Sequence, residues 1–471
     1  MKALVVLYYW PPSGGPGVQR GVKLCRQLRD EGVEPVVVTV HPSAYSLPGE
    51  YPHDPSLAAD VPSDLRVVRT AHGHATTLRA ALGATRLLRA AQHVLPGGFF
   101  ERQAGWRRPL VDALVAEIRD TRPDVLLTSS QPYVVHLAGR ATKLATGIPW
   151  VADFRDPWTF SWGRTWPSQR AFDWEERREE EVLGDADLVL ANTPGSRREW
   201  LERRPWLDPR KVRVVRNGYD PADFRASRGP APDAHDDVWL APAPKPPGEI
   251  RIVHAGSFRA KPPGRGRTGL RARLDRSGPR PVPYDLSTHS PEPLLRAMAA
   301  VEDPERRLVA RLVGAVDRGW LDVAAALGAL DRVDLAGYRP HRETISELLA
   351  ADLLWLPTIT RTDRGPVSNV PAKTYEYLGS GRPVLAYAGD GDVADLMVGR
   401  ARCRRVEPGP AAVDEIASIL RALLAGGAAP AEAPDPEDAR PLRRRETARG
   451  VAEALRDAVA SAENRRARDR S

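Results

Sequence analysis

Cysteine is nearly absent from this sequence: Cys25 and Cys403 are the two in 471 residues. They stand far apart and in no paired spacing, which excludes a disulfide framework and a structural zinc site and suits a reducing cytoplasm. Long apolar runs are missing too. No stretch of about 18 apolar residues occurs, so no segment reads as a bilayer-spanning helix. The chain opens on an apolar strand with no basic leader before it, and a secretory signal is not expected. Zinc-finger spacing, an RRM-like signature and a long basic helix are lacking, so nucleic acid is not the expected partner. The net charge of +8, mostly from arginine, then suits nucleotide-linked substrates or a phospholipid surface, although an arginine-rich composition alone gives the same number.

What is present is an alternation of apolar strands and amphipathic helices, long enough for two domains. A strand at Ala3 to Tyr9 leads into "PPSGGPG", and a helix follows with Val18, Val22, Cys25 and Leu28 on one face. Gly32 closes that helix and "PVVVTV" is the next buried strand, a unit that implies a parallel sheet with a right-handed crossover. Further strands read at "DVLLTSS", "PWVADF", "ADLVLANT" and "VRVVRNG". The expected fold class is α/β, with two tandem doubly wound Rossmann-like domains facing across a cleft, where open parallel sheets bind ligands. The boundaries expected are 1–224 for the first domain, 225–248 for a Pro/Ala/Gly/Asp-rich linker or insertion, and 249–425 for the second domain. Residues 426–471 supply a mobile segment and a closing basic helix. The second domain restarts at "IRIVHAGSF" and continues through "RLVARLVGA", "RVDLAGY", "ADLLWLPT" and "PVLAYAG".

The glycine turn between the first strand and helix suits close approach to a phosphate at a helix N-terminus. A dinucleotide fingerprint would follow Gly15 and Gly17 with a third glycine, but that position holds Arg20. The acid expected after the second strand is missing as well, and no Gly-Lys-Ser/Thr of a P-loop is present. An oxidoreductase and a nucleoside triphosphatase are both disfavoured. A tight turn without a ligand fits the same residues.

The stretch "YYWPPSGGPGVQRGVKLCRQLRDEGVEPVVVT" resembles the opening of family-four retaining glycosyltransferases of the GT-B fold. "IPWVADFRDPW" resembles a second hallmark of the branch that builds cell-surface polysaccharides, and "VPAKTYEYLGSGRPVLAYA" resembles the donor-binding signature. "ADLVLANTPG", "VVRNGYDPADF" and "IVHAGSF" fall in the expected order, so that the resemblance spans residues 1–224 and 249–425. It implies an enzyme moving a sugar from a nucleotide-sugar donor, with retention and without a metal or other cofactor. The acceptor implied is a glycan, a lipid-linked molecule or a secondary-metabolite scaffold. A nucleotide-sugar epimerase shares the two-domain layout, and a non-catalytic sugar-nucleotide-binding partner of another transferase would keep the same folds.

Without a metal, cations and N–H dipoles must stabilise the departing diphosphate. The resemblance places Arg259 and Lys261 in that role, at the head of an insert, "RAKPPGRGRTGLRARLDRSGPR", with seven Arg, one Lys and one acid, Asp275. Arg265 and Arg267 are alternatives, and a solvated loop is a third reading of the same run. Glu376 matches the carboxylate that accepts from ribose hydroxyls, and Lys373 lies three residues earlier on the same helical face. Asn369 is read as the helix cap and Pro371 as part of its first turn. Ser368 stands where many family members carry a second Glu, so backbone N–H groups of Ser368, Asn369 and Val370 are left to meet the sugar. Gly14, Gly15 and Gly17 bring backbone to the diphosphate.

In the first domain Asp153 and Asp156 are candidates for orienting the acceptor hydroxyl, with Arg155 as a structural partner for them. His136 is a candidate active-site histidine, although a His on an apolar helix is commonly core. The segment Leu78 to Phe100 is apolar on one side, which suits either an anionic leaflet or packing on its own domain. The setting expected is cytoplasmic, with peripheral contact at the inner face of the membrane through that segment. Trp158, Trp162, Trp166 and Trp174 follow the acidic motif and suit sugar stacking or a packed loop.

Overall fold

The computed structural model describes residues 1–46, 53–73, 101–164, 166, 168–226, 238–263, 279–426 and 431–468. The chain divides into two compact units. The first comprises Met1–Asn217, Gly269–Val282 and Arg444–Ser471; the second comprises Gly218–Thr268 and Pro283–Arg443.

In the first unit the strands are β1 (Lys2–Leu7), β2 (Glu34–Val40), β3 (Val67–Thr70), β4 (Val125–Ser129), β5 (Trp150–Phe154), β6 (Leu188–Ala191) and β7 (Val212–Val214). They form one parallel sheet in the order β3-β2-β1-β4-β5-β6-β7. The central strands are buried along their length, as strands covered on both faces must be. The first helix, Pro16–Asp30, buries Val18, Val22, Cys25 and Leu28 against β1 and β2 residues. The strand order reverses between β1 and β4, which makes their C-terminal ends the switch point of this sheet. The short edge strand β3 is an addition to the expected pattern.

The last helix, Arg444–Arg468, belongs to this first unit. Ala448, Val451, Ala452, Ala454, Leu455 and Ala458 are buried in one core with Ala3, Val5 and Leu7 of β1. Small alanines on one face let the helix backbone come close to the first helix and the sheet.

The second unit contains β8 (Glu249–Ala255), β9 (Tyr284–Asp285), β10 (Arg307–Val313), β11 (Val333–Gly337), β12 (Leu353–Pro357), β13 (Thr360–Arg361), β14 (Val384–Tyr387) and β15 (Cys403–Val406). Six of them form a parallel sheet in the order β11-β10-β8-β12-β14-β15, while β9 and β13 make a separate antiparallel pair. Its switch point lies between β8 and β12. Phe224 and Tyr219 pack in the core of this unit, so the division falls at Gly218, before 224. The α/β class with two doubly wound sheets is the fold observed.

Among the described residues no helix is long and apolar enough to cross a membrane. The segment 78–100, together with Arg265 and Arg267, lies outside the described residues.

Candidate functional site

At the switch point of the second unit, β8 ends at Ala255 and the chain turns through Gly256 with φ 113°. A Cβ at Gly256 would stand 3.0 Å from Lys373 Nζ, so the backbone and the amine pass each other only because the residue is glycine. Lys373 and Glu376 both project from the helix Ala372–Gly379. That helix has Pro371 at its N-cap with no side-chain hydrogen bond, so Asn369 is not the cap. Its end is marked by Gly381 with φ 72°.

Lys373 Nζ lies 3.2 Å from His254 Nε2. Burial, with the Arg259 charge adding to it, pushes the Lys373 amine down to about 7, against the pull of Glu376. Arg259 donates its backbone N–H to His289 Nδ1 at 3.1 Å while its side chain stays exposed. Burial and the neighbouring Lys373 likewise hold His289 down at about 3. Glu376 accepts from His341 Nε2 at 3.1 Å. The charges of Arg259 and Glu376 both act on Lys373, whose amine lies beside Gly256 at the end of β8. Lys261 is exposed two residues beyond Arg259. Ser368 and Val370 are buried on the approach to the helix, and Asn369 between them is half-buried.

Chemically this corner is cationic, with one half-buried carboxylate near the cations. It suits an anion held near an hydroxyl-bearing group: cations and a permissive glycine for the anion, Glu376 for the hydroxyls. Among the described residues no group of three or more His, Cys, Asp or Glu side chains is arranged to hold a metal ion.

In the first unit, Gly15 adopts φ 93° at the N-cap of the first helix. Gly17 lies under Arg155, where a Cβ would come 2.9 Å from Nη1. The glycine turn therefore admits a close approach of side chain to backbone. Asp153 is fully buried at the end of β5, where Arg20 Nη2 donates to both its oxygens at 3.0 and 3.1 Å and Ser129 Oγ donates at 2.7 Å. Its ion-pair partner is therefore Arg20, where the sequence reading had offered Arg155. Asp156 is half-buried, and Gln131 Nε2 donates to its Oδ2 at 3.4 Å. His136 is fully buried and stacked on Phe154 at 4.2 Å, with Nδ1 2.8 Å from Thr128 Oγ1. Burial pushes it down to about 3, which keeps the ring neutral. That is the environment of a core histidine.

Trp158 and Trp166 are packed in the loop, while Trp162 and Trp174 are half-buried. Glu175 Oε2 accepts from Trp158 Nε1 at 2.9 Å and from Trp166 Nε1 at 3.2 Å, and also from Arg164. Glu179 accepts from Trp158 N at 3.1 Å, Trp200 Nε1 at 2.9 Å and Arg204 Nη2 at 2.9 Å. Trp158 is parallel to the Tyr133 ring at 5.1 Å. Two buried glutamates of the helix Gln169–Asp185 thereby fix the chain that follows Asp156.

Sequence reasoning passed over His254, His289 and His341. The signal available for His254 was a polar residue inside the apolar strand motif "IVHAGSF". A cavity of about 530 Å³ in the second unit is lined by Gly248, Val301, Arg307, Asp331 and Leu424. Gly248 and Arg307 stand at the starts of β8 and β10, the opposite end of those strands from Gly256, and the candidate site is not there.

Residues 17–223 match the family model described as Glycosyltransferase Family 4. No curated protein matches the sequence. The structure is similar to Anabaena HepE in complex with UDP and glucose, at TM-score 0.51 and 16% identity, covering 100% of this chain and 99% of that one. It is also similar to sucrose-phosphate synthase from Thermosynechococcus elongatus, at TM-score 0.54 and 16% identity over 99% and 98% of the two chains. The lipopolysaccharide outer core galactosyltransferase WaaB aligns at TM-score 0.53 and 12% identity over 97% and 99%. At such identities the likeness shows the fold. Residues 17–223 thus match the Glycosyltransferase Family 4 model, and the whole chain has the two-sheet α/β fold that these structures share.

Proposed function

We propose that the chain transfers a sugar from a nucleotide-sugar donor to a glycan, lipid-linked or secondary-metabolite acceptor, with retention at the anomeric carbon and without a metal ion. The observation that carries this reading is the Lys373 amine set beside Gly256 at the switch point of the second sheet, within reach of the charges of Arg259 and Glu376. In this reading Lys373 and Arg259 neutralise the donor diphosphate, taking the part a divalent cation plays elsewhere. Glu376 accepts from the ribose hydroxyls. The half-buried Asn369 and the backbone of Val370 face the sugar, and Lys261 adds charge at the rim. The UDP and glucose of the HepE complex support a donor of this class.

In the first unit Asp156 is the acid left for the acceptor side, since Asp153 is taken up by Arg20 and Ser129. The turn at Gly14, Gly15 and Gly17 keeps its reading as a phosphate approach at a helix N-terminus. Polysaccharide assembly at the inner face of a membrane is the setting proposed.

The test is a binding and turnover screen with UDP-, GDP-, ADP- and TDP-sugars, with and without EDTA, on the intact chain and on Glu376→Ala. One nucleotide series should stabilise the protein and be turned over in EDTA, and Glu376→Ala should raise KM about tenfold or more. Binding of none of them, or a response that EDTA abolishes, would remove this reading.

A further inference from the structure

His254 has no part in the reading above, yet it touches the residue at its centre. It is fully buried in β8 and stacked on Phe258, with ring centroids 4.2 Å apart and planes 15° apart. Its Nδ1 lies 3.0 Å from the carbonyl oxygen of Trp355 on β12. A carbonyl only accepts, so Nδ1 carries the proton. Burial and the nearby Lys373 hold the ring well below the usual imidazole range, hence neutral. Nε2 is then a lone-pair acceptor, and it faces Lys373 Nζ at 3.2 Å. Three contacts therefore fix one direction in space: Trp355 orients the ring, Phe258 clamps its plane, and the free nitrogen aims at the amine.

We propose that His254 is a positioning residue for Lys373, holding its amine over Gly256 through Nε2, and that the amine takes up a proton when a donor diphosphate arrives. The inference rests on the reading of this corner as the diphosphate site. The contacts of His254 carry the positioning, and the charges around the amine bear on its protonation. A neutral imidazole positions the nitrogen without supplying the negative charge that an ammonium needs. The other charged or titratable groups acting on the amine are Arg259 and His289 from the loops after β8 and before the helix Glu292–Ala299, and Glu376 from its own helix. Glu376 is itself bonded to His341. One carboxylate shared in this way leaves the amine little anionic charge to balance it, and a diphosphate diester brings two negative charges. Burial pushes the Lys373 amine down to about 7, so above that pH binding and protonation are coupled.

The experiment is calorimetry of UDP-glucose and of GDP-mannose binding to the full chain at pH 8, in two buffers of different ionisation enthalpy. A diphosphate esterified at both ends has no acid near neutrality, so any proton taken up enters the protein. Wild type is expected to take up close to one proton per bound donor, on the order of the neutral fraction at pH 8. Lys373→Met should abolish the uptake. His254→Leu should raise the donor KM about tenfold with kcat within about threefold, and His254→Gln should restore most of the loss by returning an acceptor at the Nε2 position. A merely structural His254 would instead lower melting temperature in both variants alike, without altering proton uptake. If a donor binds without proton uptake and the Leu and Gln variants share one KM, the inference is overturned while the site stands. If neither sugar nucleotide binds, the site reading fails and takes the inference with it.

Discussion

Arg20 Nη2 and the two oxygens of Asp153 stand 3.0 and 3.1 Å apart, with the side chains 4% and 0% exposed. The pair ties the second turn of the first helix to the end of β5, across the switch point of the first sheet. It also explains why a dinucleotide fingerprint fails here: the place of the third glycine carries the cation that Asp153 requires.

Breaking this pair from one side should be costly, because the remaining charge is left buried without a partner. Asp153→Ala is expected to lower the unfolding free energy by about 3–5 kcal/mol, while the double replacement Arg20→Met with Asp153→Leu should recover much of that loss. Chemical denaturation of the three variants measures it. Asp153→Ala with wild-type stability and no turnover would make the carboxylate a chemical participant instead.

Three histidines are buried in the neutral form, and each makes the protein sensitive to acid. His136 and His289 stand at about 3, and His254 also lies far below its ordinary value, with burial as the main cause in every case. The folded state therefore binds fewer protons than the unfolded state between about 3 and 6.5, and stability falls as pH drops through that window. The slope is up to about 1.4 kcal/mol per pH unit for each histidine. His136→Gln should remove one proton's worth of slope between pH 6 and pH 4, read by denaturation at several pH values. An unchanged slope would mean that His136 is already charged in the folded protein.

The strands and helices were legible because their signals are local: β-branched runs for β1 and β2, and the spacing of Val18, Val22, Cys25 and Leu28 for the first helix. β3 and β15 escaped notice, each four residues long and interrupted by arginine, Arg69 in the one and Arg404 and Arg405 in the other. Lys373, Glu376 and Arg259 could be marked through a family resemblance. Their neighbours could not, because His254 and Lys373 are 119 residues apart and meet only through the strand order of the sheet. The same holds for Arg20 and Asp153, separated by 133 residues. Tryptophans after an acidic motif suggested sugar stacking. A packed loop was the other reading, and burial against the acceptors Glu175 and Glu179 gives Trp158 and Trp166 that role, visible only once the helix Gln169–Asp185 is placed against them.

The return of the last helix to the first unit makes that unit dependent on the far end of the chain. Leu455 is fully buried in the core that holds Ala3, Val5 and Leu7, and Thr447 Oγ1 donates to Arg216 O at 2.8 Å. Leu455→Ala should cost about 2–5 kcal/mol, since the rigid strands on one side cannot close over the gap. Ending the chain at Arg443 removes the whole apolar face of the helix and uncovers β1 and its neighbours. The shortened protein is expected to lose cooperative unfolding of the first unit and to bind an apolar dye, while the second unit, with cores of its own, keeps its thermal transition. Differential scanning calorimetry with and without residues 444–471 reads both. A first unit that unfolds cooperatively at its normal temperature without the helix would show that the alanine face covers the sheet without holding it together.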